Sequence, residues 1–275
     1  MATVGEKGFS FQAKKMCLIL FSYNKHPQYK LIFAANRDEF YERPTRPAQF
    51  WNSSPDLLAG KDLKGGGTWM GITRNGRFAA ITNFREPENI RQNAPSRGFL
   101  VRNFLEADSS PENYLKMIKK IGKRYNGFNL LVGTHDGIFY YSNRQTRILE
   151  IPPGIHGLSN HLINTDWPKV KKGKQLLAEI ISQDNFPDMT NLFSMLQDRS
   201  KPPDRLLPNT GVSLEWERIL SPLFITGTTY GTRSSTIFLR DRDGNIEFVE
   251  RTFTPDQGSI VKNDTQKFSF TIQQA

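Results

Sequence analysis

The chain carries a single cysteine, Cys17, which follows Met16 and heads the apolar run "CLILFSY". A cysteine thiolate is a strong nucleophile, but the thiol must first give up its proton to a base. Cys17 therefore has two readings: a buried strand residue, or a nucleophile that becomes the first residue of the working protein. The stretch "AANRDEF" (34–40) sets Arg37 and Asp38 at the end of the next apolar run. Across a hairpin from Cys17, a cation there lowers the thiol pKa; equally, Arg37 can pair with Asp38 or Glu39 where a strand ends. Asn83 in "ITNFRE" and Asn160 in "HGLSNHL" each stand at a strand end. A side-chain amide in that place donates to an oxyanion or caps a turn. The histidines His26, His135, His156 and His161 show no metal-ligand spacing, and none is placed as the base of a Cys-His pair. His156 and His161 flank Asn160 and can approach a site built there.

The elements that must position these groups follow from periodicity. Residues 17–23 and 30–36 read as a strand pair, and 68–74 with 77–83 as a hairpin about Asn75-Gly76. Further pairs flank Asp136-Gly137 and Asp243-Gly244, and a last strand covers 267–273. Helical spacing predicts helices around Leu100–Leu105, after the Ser110-Pro111 start signal, and over 167–182 and 188–197. The stretch 41–51 reads as a loop. "KGGGTWMG" (64–71) lacks the ending of a phosphate-binding loop and reads as a turn needing positive φ or close approach to a neighbour. Strands, helices, strands, helices and strands in that order argue for an α+β fold of antiparallel sheets with helices packed outside. Residues 17–275 are expected to form one domain, and 1–16 a leader, tag or removable segment.

Composition narrows the function classes. One cysteine excludes an internal disulfide framework and a Cys-type structural zinc site, and suits a reducing compartment. No apolar run is long enough for a transmembrane helix, and the first 15 residues lack the apolar core of a secretory signal. The net charge of +10 suits an anionic partner, but the basic residues are spread over helix faces without a nucleic-acid motif.

Several ordered blocks together carry a resemblance. Met16-Cys17 heading a strand, "AANRDEFYERP" (34–44), "GGTWMGI" (66–72), "AAITNFREP" (79–87), "YNGFNLL" (125–131), "GLSN" (157–160) and "YGTRSSTI" (230–237) resemble the NRDE protein family, also called the Transport and Golgi organization 2 family. That family is similar in turn to the N-terminal cysteine nucleophile hydrolases. The resemblance implies a four-layer αββα sandwich and hydrolysis or acyl transfer at a non-peptide linear amide C–N bond. In the branch with the bile-acid and penicillin V amidohydrolases, the cysteine follows the initiator Met, and its freed α-amine is the base. Such an amine titrates near pKa ~8, so no histidine is needed.

Carried over by motif, Arg37 and Asp38 resemble the residues that hold the cysteine and its amine. Asn83 and Asn160 resemble the oxyanion-hole and orienting asparagines, and Arg233 the late arginine of the site. Trp69, His156 and His161 are the expected substrate contacts. The implied protein is cytoplasmic, uses no metal or cofactor, and takes a small acyl or amide substrate rather than nucleic acid. An alternative from the same resemblance is a non-catalytic binding or trafficking protein handling haem, lipid or acyl-CoA in Golgi organisation and secretion. The front of the chain departs from the pattern, because Cys17 is preceded by 16 residues and an acylated nitrogen is no base. Start at Met16 followed by methionine removal is the expected route to a free Cys17; trimming of the leader, or absence of catalysis, are the others.

Overall fold

The computed structural model describes residues 16–183, 187–256 and 259–272, so residues 1–15 of the expected leader lie outside the described residues. The first strands are β1 (Met16–Tyr23), β2 (Tyr29–Phe40), β3 (Thr45–Trp51), β4 (Ser54–Asp62), β5 (Met70–Thr73) and β6 (Phe78–Asn83). Helices α1 (Gly98–Leu105) and α2 (Pro111–Ile121) follow, then β7 (Phe128–Gly133), β8 (Ile138–Ser142), β9 (Ile148–Glu150) and β10 (Gly154–Leu158). After α3 (Pro168–Gln183), α4 (Met189–Leu196) and α5 (Leu214–Leu220), the chain ends in β11 (Tyr230–Asp241), β12 (Asn245–Asp256) and β13 (Ser259–Thr271).

These strands form two antiparallel sheets, one in the order β10-β1-β2-β11-β12-β13 and one running β3 through β9 in sequence order. The apolar strands read as continuous runs because both of their faces are buried. Along β1, Leu18 and Leu20 join the core under α3 and α4, whereas Ile19 and Phe21 enter the core between the sheets. In β6 and β7, Ala80 and Leu131 face that same middle core, whereas Ala79, Leu130 and Val132 pack under α1 and α2. Three stacked cores require four layers. The architecture is the expected α+β, αββα sandwich with antiparallel sheets.

Several elements differ from the sequence reading. β2 runs on to Phe40, so Arg37, Asp38 and Glu39 are buried strand residues rather than a strand exit. Residues 45–51 are not loop but the edge strand β3, and β4, β9, β10 and α5 add to the expected set. The glycine-rich stretch behaves as its composition demands. Gly66 sits at φ +75°, and a Cβ on Gly67 would stand 2.3 Å from the Gly98 carbonyl carbon. Among the described residues, no helix is long and apolar enough to cross a membrane.

Candidate active site

β1 and β2 are paired so that Cys17 lies opposite Arg37 and Met16 opposite Asp38. Because neighbours on a strand face opposite ways, Arg37 shares the inter-sheet side with Cys17, and Asp38 points to the helix layer. Two residues after β10, Asn160 reaches back to the nucleophile candidate. Its Oδ1 accepts the Cys17 peptide N–H at 3.3 Å, and its Nδ2 donates to the Asn83 carbonyl at 2.9 Å. One fully buried amide thus bridges the heads of strands from both sheets. Ser159 Oγ lies 3.0 Å from the Cys17 carbonyl oxygen and 3.1 Å from Asn160 Oδ1. Thr82 Oγ1 donates to the Ser159 carbonyl, Asn129 Nδ2 donates to Thr82 Oγ1, and the Tyr140 hydroxyl donates to Asn129 Oδ1. This buried chain of hydrogen bonds leaves the asparagine little freedom.

Behind β2, Asp38 Oδ1 accepts from Thr232 Oγ1 at 2.7 Å, while its buried Oδ2 has no partner among the described residues. Burial pushes the Asp38 carboxyl up to about 6, against the pull of Lys169, Thr232 and Arg37. Lys169, in the first turn of α3, is itself buried and donates to the Leu220 carbonyl at 3.1 Å. Burial brings this ammonium down to about 8, and the charge of Asp38 works in the opposite direction. Arg85, two residues past Asn83, forms a buried ion pair with Glu217 of α5 at 2.6 Å, and its backbone N–H donates to the Asn160 carbonyl.

Cys17, Arg37, Asp38, Asn83 and Trp69 line one cavity of about 640 Å³. The connection from Phe84 to Gly98 walls its other side. The Arg37 guanidinium carbon lies 4.3 Å from the Trp69 ring centroid, and its Nη2 lies 3.7 Å from Glu39 Oε2. Cys17 is half-buried, and desolvation pushes its thiol up to about 12. The charge of Asp38 adds to that; Arg37 and a backbone hydrogen bond from Asp38 oppose it and lose. The neighbouring arginine lowers the thiol pKa as expected, but in the chain as it stands desolvation outweighs it, the outcome of the buried-strand reading.

Three of the expected site residues are placed elsewhere. Arg233 sits at a bulge between Thr232 and Ser234 in β11, and its Nη1 lies within 3.1 Å of the carbonyl oxygens of Phe40, Tyr41 and Arg43. It ties down the turn after β2 and, with Arg37, lines a smaller cavity of about 150 Å³. His156 stacks on Phe21 and engages the Pro152 carbonyl and Asn164. His161 packs against Phe84 and Trp167 and bonds Thr165. Neither histidine lines the cavity with Cys17, because each ring is held in packing on its own side of Asn160. Sequence reasoning missed Ser159, Thr82, Asn129, Thr232, Lys169 and Arg97. All but Lys169 and Arg97 lie inside the motif blocks, so the blocks hold the side chains that brace Cys17 and Asn160 as well as those two residues themselves. No group of three or more His, Cys, Asp or Glu side chains among the described residues could hold a metal ion.

The fold and site together define a class: an αββα sandwich in which a cysteine heads an inner strand and opens on a walled, polar cavity. The chain belongs to the Transport and Golgi organisation 2 family, whose profile matches residues 16–255. It is 35% identical over 278 residues to the mouse homolog of Transport and Golgi organization 2, covering 94% of this chain and 100% of the relative. The human homolog is 36% identical with the same coverage, and the Drosophila melanogaster protein 28% identical over 87% of this chain and 93% of its own. Among solved structures, the chain is similar to a Caenorhabditis elegans N-acylethanolamine-hydrolyzing acid amidase ortholog, at a TM-score of 0.47 and 12% identity, covering 81% of this chain and 92% of that one. It is also similar to a conjugated bile acid hydrolase mutant from Clostridium perfringens, at a TM-score of 0.39 and 10% identity, covering 96% and 90%.

Proposed function

We propose that the protein is an N-terminal cysteine hydrolase or acyltransferase acting on a linear amide or related acyl bond. The observation that carries this reading is the bridge by which buried Asn160 joins Cys17 and Asn83, the two of which line the cavity. It puts a thiol, an amide donor and a strand-end asparagine where a carbonyl carbon and its developing oxyanion would sit. In the reaction, the bond between Met16 and Cys17 is first broken. The freed α-amine, at the position whose N–H now meets Asn160 Oδ1, takes the thiol proton. The sulfur attacks the carbonyl carbon, Asn83 donates to the oxyanion from the cavity wall, and Asn160 orients Cys17 from behind; one oxyanion donor is worth about 3–4 kcal/mol in other hydrolases. Collapse breaks the C–N bond, the ammonium protonates the leaving nitrogen, and water or another acceptor then takes the acyl group from sulfur. Asp38, with Lys169 as its counter-charge, holds the amine.

The raised thiol pKa fits this sequence of events, since it belongs to a Cys17 whose nitrogen is an amide. An ammonium beside the sulfur would favour the thiolate in place of the neutral peptide group. The test is intact mass together with iodoacetamide labelling. Catalysis requires a species beginning at Cys17 that labels near neutral pH; a protein that keeps residues 1–16 and labels only when unfolded refutes it.

The same desolvated thiol favours a second reading, a non-catalytic binding or trafficking protein that uses the cavity as a ligand site. Haem fits that role poorly here: both ring nitrogens of His156 and Nδ1 of His161 have partners away from the cavity, and among the described residues that line it Cys17 alone could serve as an axial ligand. An acyl or lipid-like ligand is the better occupant under this reading.

A further inference from the structure

Of the acids that line the cavity, Glu39, Asp62 and Glu86 are paired, and Asp38 turns to Thr232 and Lys169 behind β2. Glu39 Oε2 stands 3.4 Å from Arg43 Nε and 3.7 Å from Arg37 Nη2, and Asp62 Oδ2 lies 2.6 Å from Arg43 Nη2. Glu86 is held by Arg144, and Glu42 is exposed at the mouth. Arg97 is what remains. It enters from the connection before α1, on the wall facing the strand heads, and its Nη1 donates to the Gly127 carbonyl at 2.7 Å. No carboxylate forms an ion pair with it among the described residues. Burial drags this guanidinium down to about 10, although the charges of Cys17, Glu39 and Glu86 favour its ionised form. Arg37, on the opposite wall, is 7% exposed; it has Glu39 at 3.7 Å on Nη2, but its buried Nη1 has no hydrogen-bond partner among the described residues. A part-buried guanidinium such as Arg97, with no carboxylate on it, is a place where an anionic ligand gains a charge-assisted contact.

We propose that Arg97, from the connection before α1, and Arg37, from β2, form a carboxylate-binding subsite beside Cys17, so that the ligand of this cavity is an acyl or amide compound bearing a single negative charge. Its use in a reaction rests on the hydrolase reading; the subsite itself does not. A monoanion suits the place better than a phosphate dianion. One Arg97 nitrogen is committed to Gly127, and Glu39 stands close enough to repel a second negative charge. Lys64 and Arg91, exposed at the rim of the same cavity, supply the field that draws an anion in.

The test compares ligands that differ only in charge. Hexanoate, hexanamide and hexyl phosphate are titrated into the full chain at pH 7.5, with binding followed by NMR. Hexanoate should bind at least about fivefold tighter than hexanamide, the difference a charge-assisted contact makes. That preference should vanish in Arg97→Gln and persist in Cys17→Ala, so failure of the nucleophile reading and failure of the subsite are told apart. Absence of hexanoate binding at about 10 mM, no preference over hexanamide, or a preference unchanged in folded Arg97→Gln overturns the proposal. Tighter binding of hexyl phosphate overturns the assignment to a carboxylate. If Arg97→Gln does not fold, the Arg97 Nε–H signal of the unaltered chain decides. A saturable shift with hexanoate supports the subsite, and an unmoved signal refutes it.

Discussion

Glu217→Gln should destabilise the protein by about 3–5 kcal/mol, the usual result of removing one partner from a buried ion pair. Glu217 Oε2 lies 2.6 Å from Arg85 Nη1, and the two side chains are 4% and 2% exposed. At a charge separation of about 4 Å and an effective dielectric of about 20, the attraction is worth about 4 kcal/mol. Glutamine also has one acceptor oxygen where glutamate has two, and both are in use: Oε1 accepts from the Thr210 N–H at 3.2 Å and from its hydroxyl at 2.5 Å. Either Thr210 or Arg85 must lose its bond. The Trp167 ring, 4.6 Å from the Arg85 guanidinium carbon, attracts the cation in parent and variant alike and so does not offset the loss. Urea denaturation at pH 7 measures the net effect. A double-mutant cycle with Arg85→Leu and Glu217→Leu isolates the pair, and the double variant should be more stable than either single. A Glu217→Gln protein within about 1 kcal/mol of the parent would show that Arg85 does not depend on Glu217.

Other outcomes follow from the same coordinates. The Asp38 carboxyl should titrate near 6 by carbon-13 NMR rather than near 3.8, and Lys169→Met should move that midpoint higher by deleting its largest favourable charge. Because the folded pKa is raised, the Asp38 contribution to stability is fully present below about 3.8 and is lost as pH rises through about 6; Asp38→Asn should flatten that part of the stability–pH curve. Gly67→Ala, whose Cβ would stand 2.3 Å from the Gly98 carbonyl carbon, should lower stability by about 1–3 kcal/mol or more. At Gly137 the nearest atom to an added Cβ is 3.4 Å away, and thermal melts of Gly137→Ala should stay close to the parent. Arg233→Met should expose the 40–43 turn to proteolysis by freeing the three carbonyls it ties together.

Where apolar residues filled two faces of a strand, or a turn needed a glycine, the sequence was readable. The runs at Leu18–Phe21 and Leu31–Ala35 feed two cores each, and the Asn75-Gly76 and Asp243-Gly244 turns put glycine at φ +80° and +86°. The edge strands β3 and β10 were not readable. In β3 only Ala48 and Trp51 are buried, and Pro47 interrupts the pattern; β10 is a short strand with two glycines. The end of β2 misled for a functional reason, because three charged residues look like a strand exit unless the site pairs and buries them. Lys169 was hidden in "PKVKKGK", which reads as a wet helix face, yet its first lysine turns inward toward Asp38 while Lys171 stays exposed. The asparagines and Cys17 were found through their motif blocks. The direction of the thiol shift was not, because desolvation belongs to the packed site and no spacing reveals it.

The central claim is that Cys17 becomes a nucleophile when its own nitrogen is freed. Iodoacetamide labelling against pH, read by intact mass, should be run on the uncut chain and on protein beginning at Cys17. The uncut chain should resist labelling at neutral pH, with a midpoint toward 12. The chain beginning at Cys17 should label fast near neutral pH, with its midpoint below the free-thiol value of about 8.5. Labelling that stays slow in both until the protein unfolds would contradict the account and leave the cavity a binding site alone.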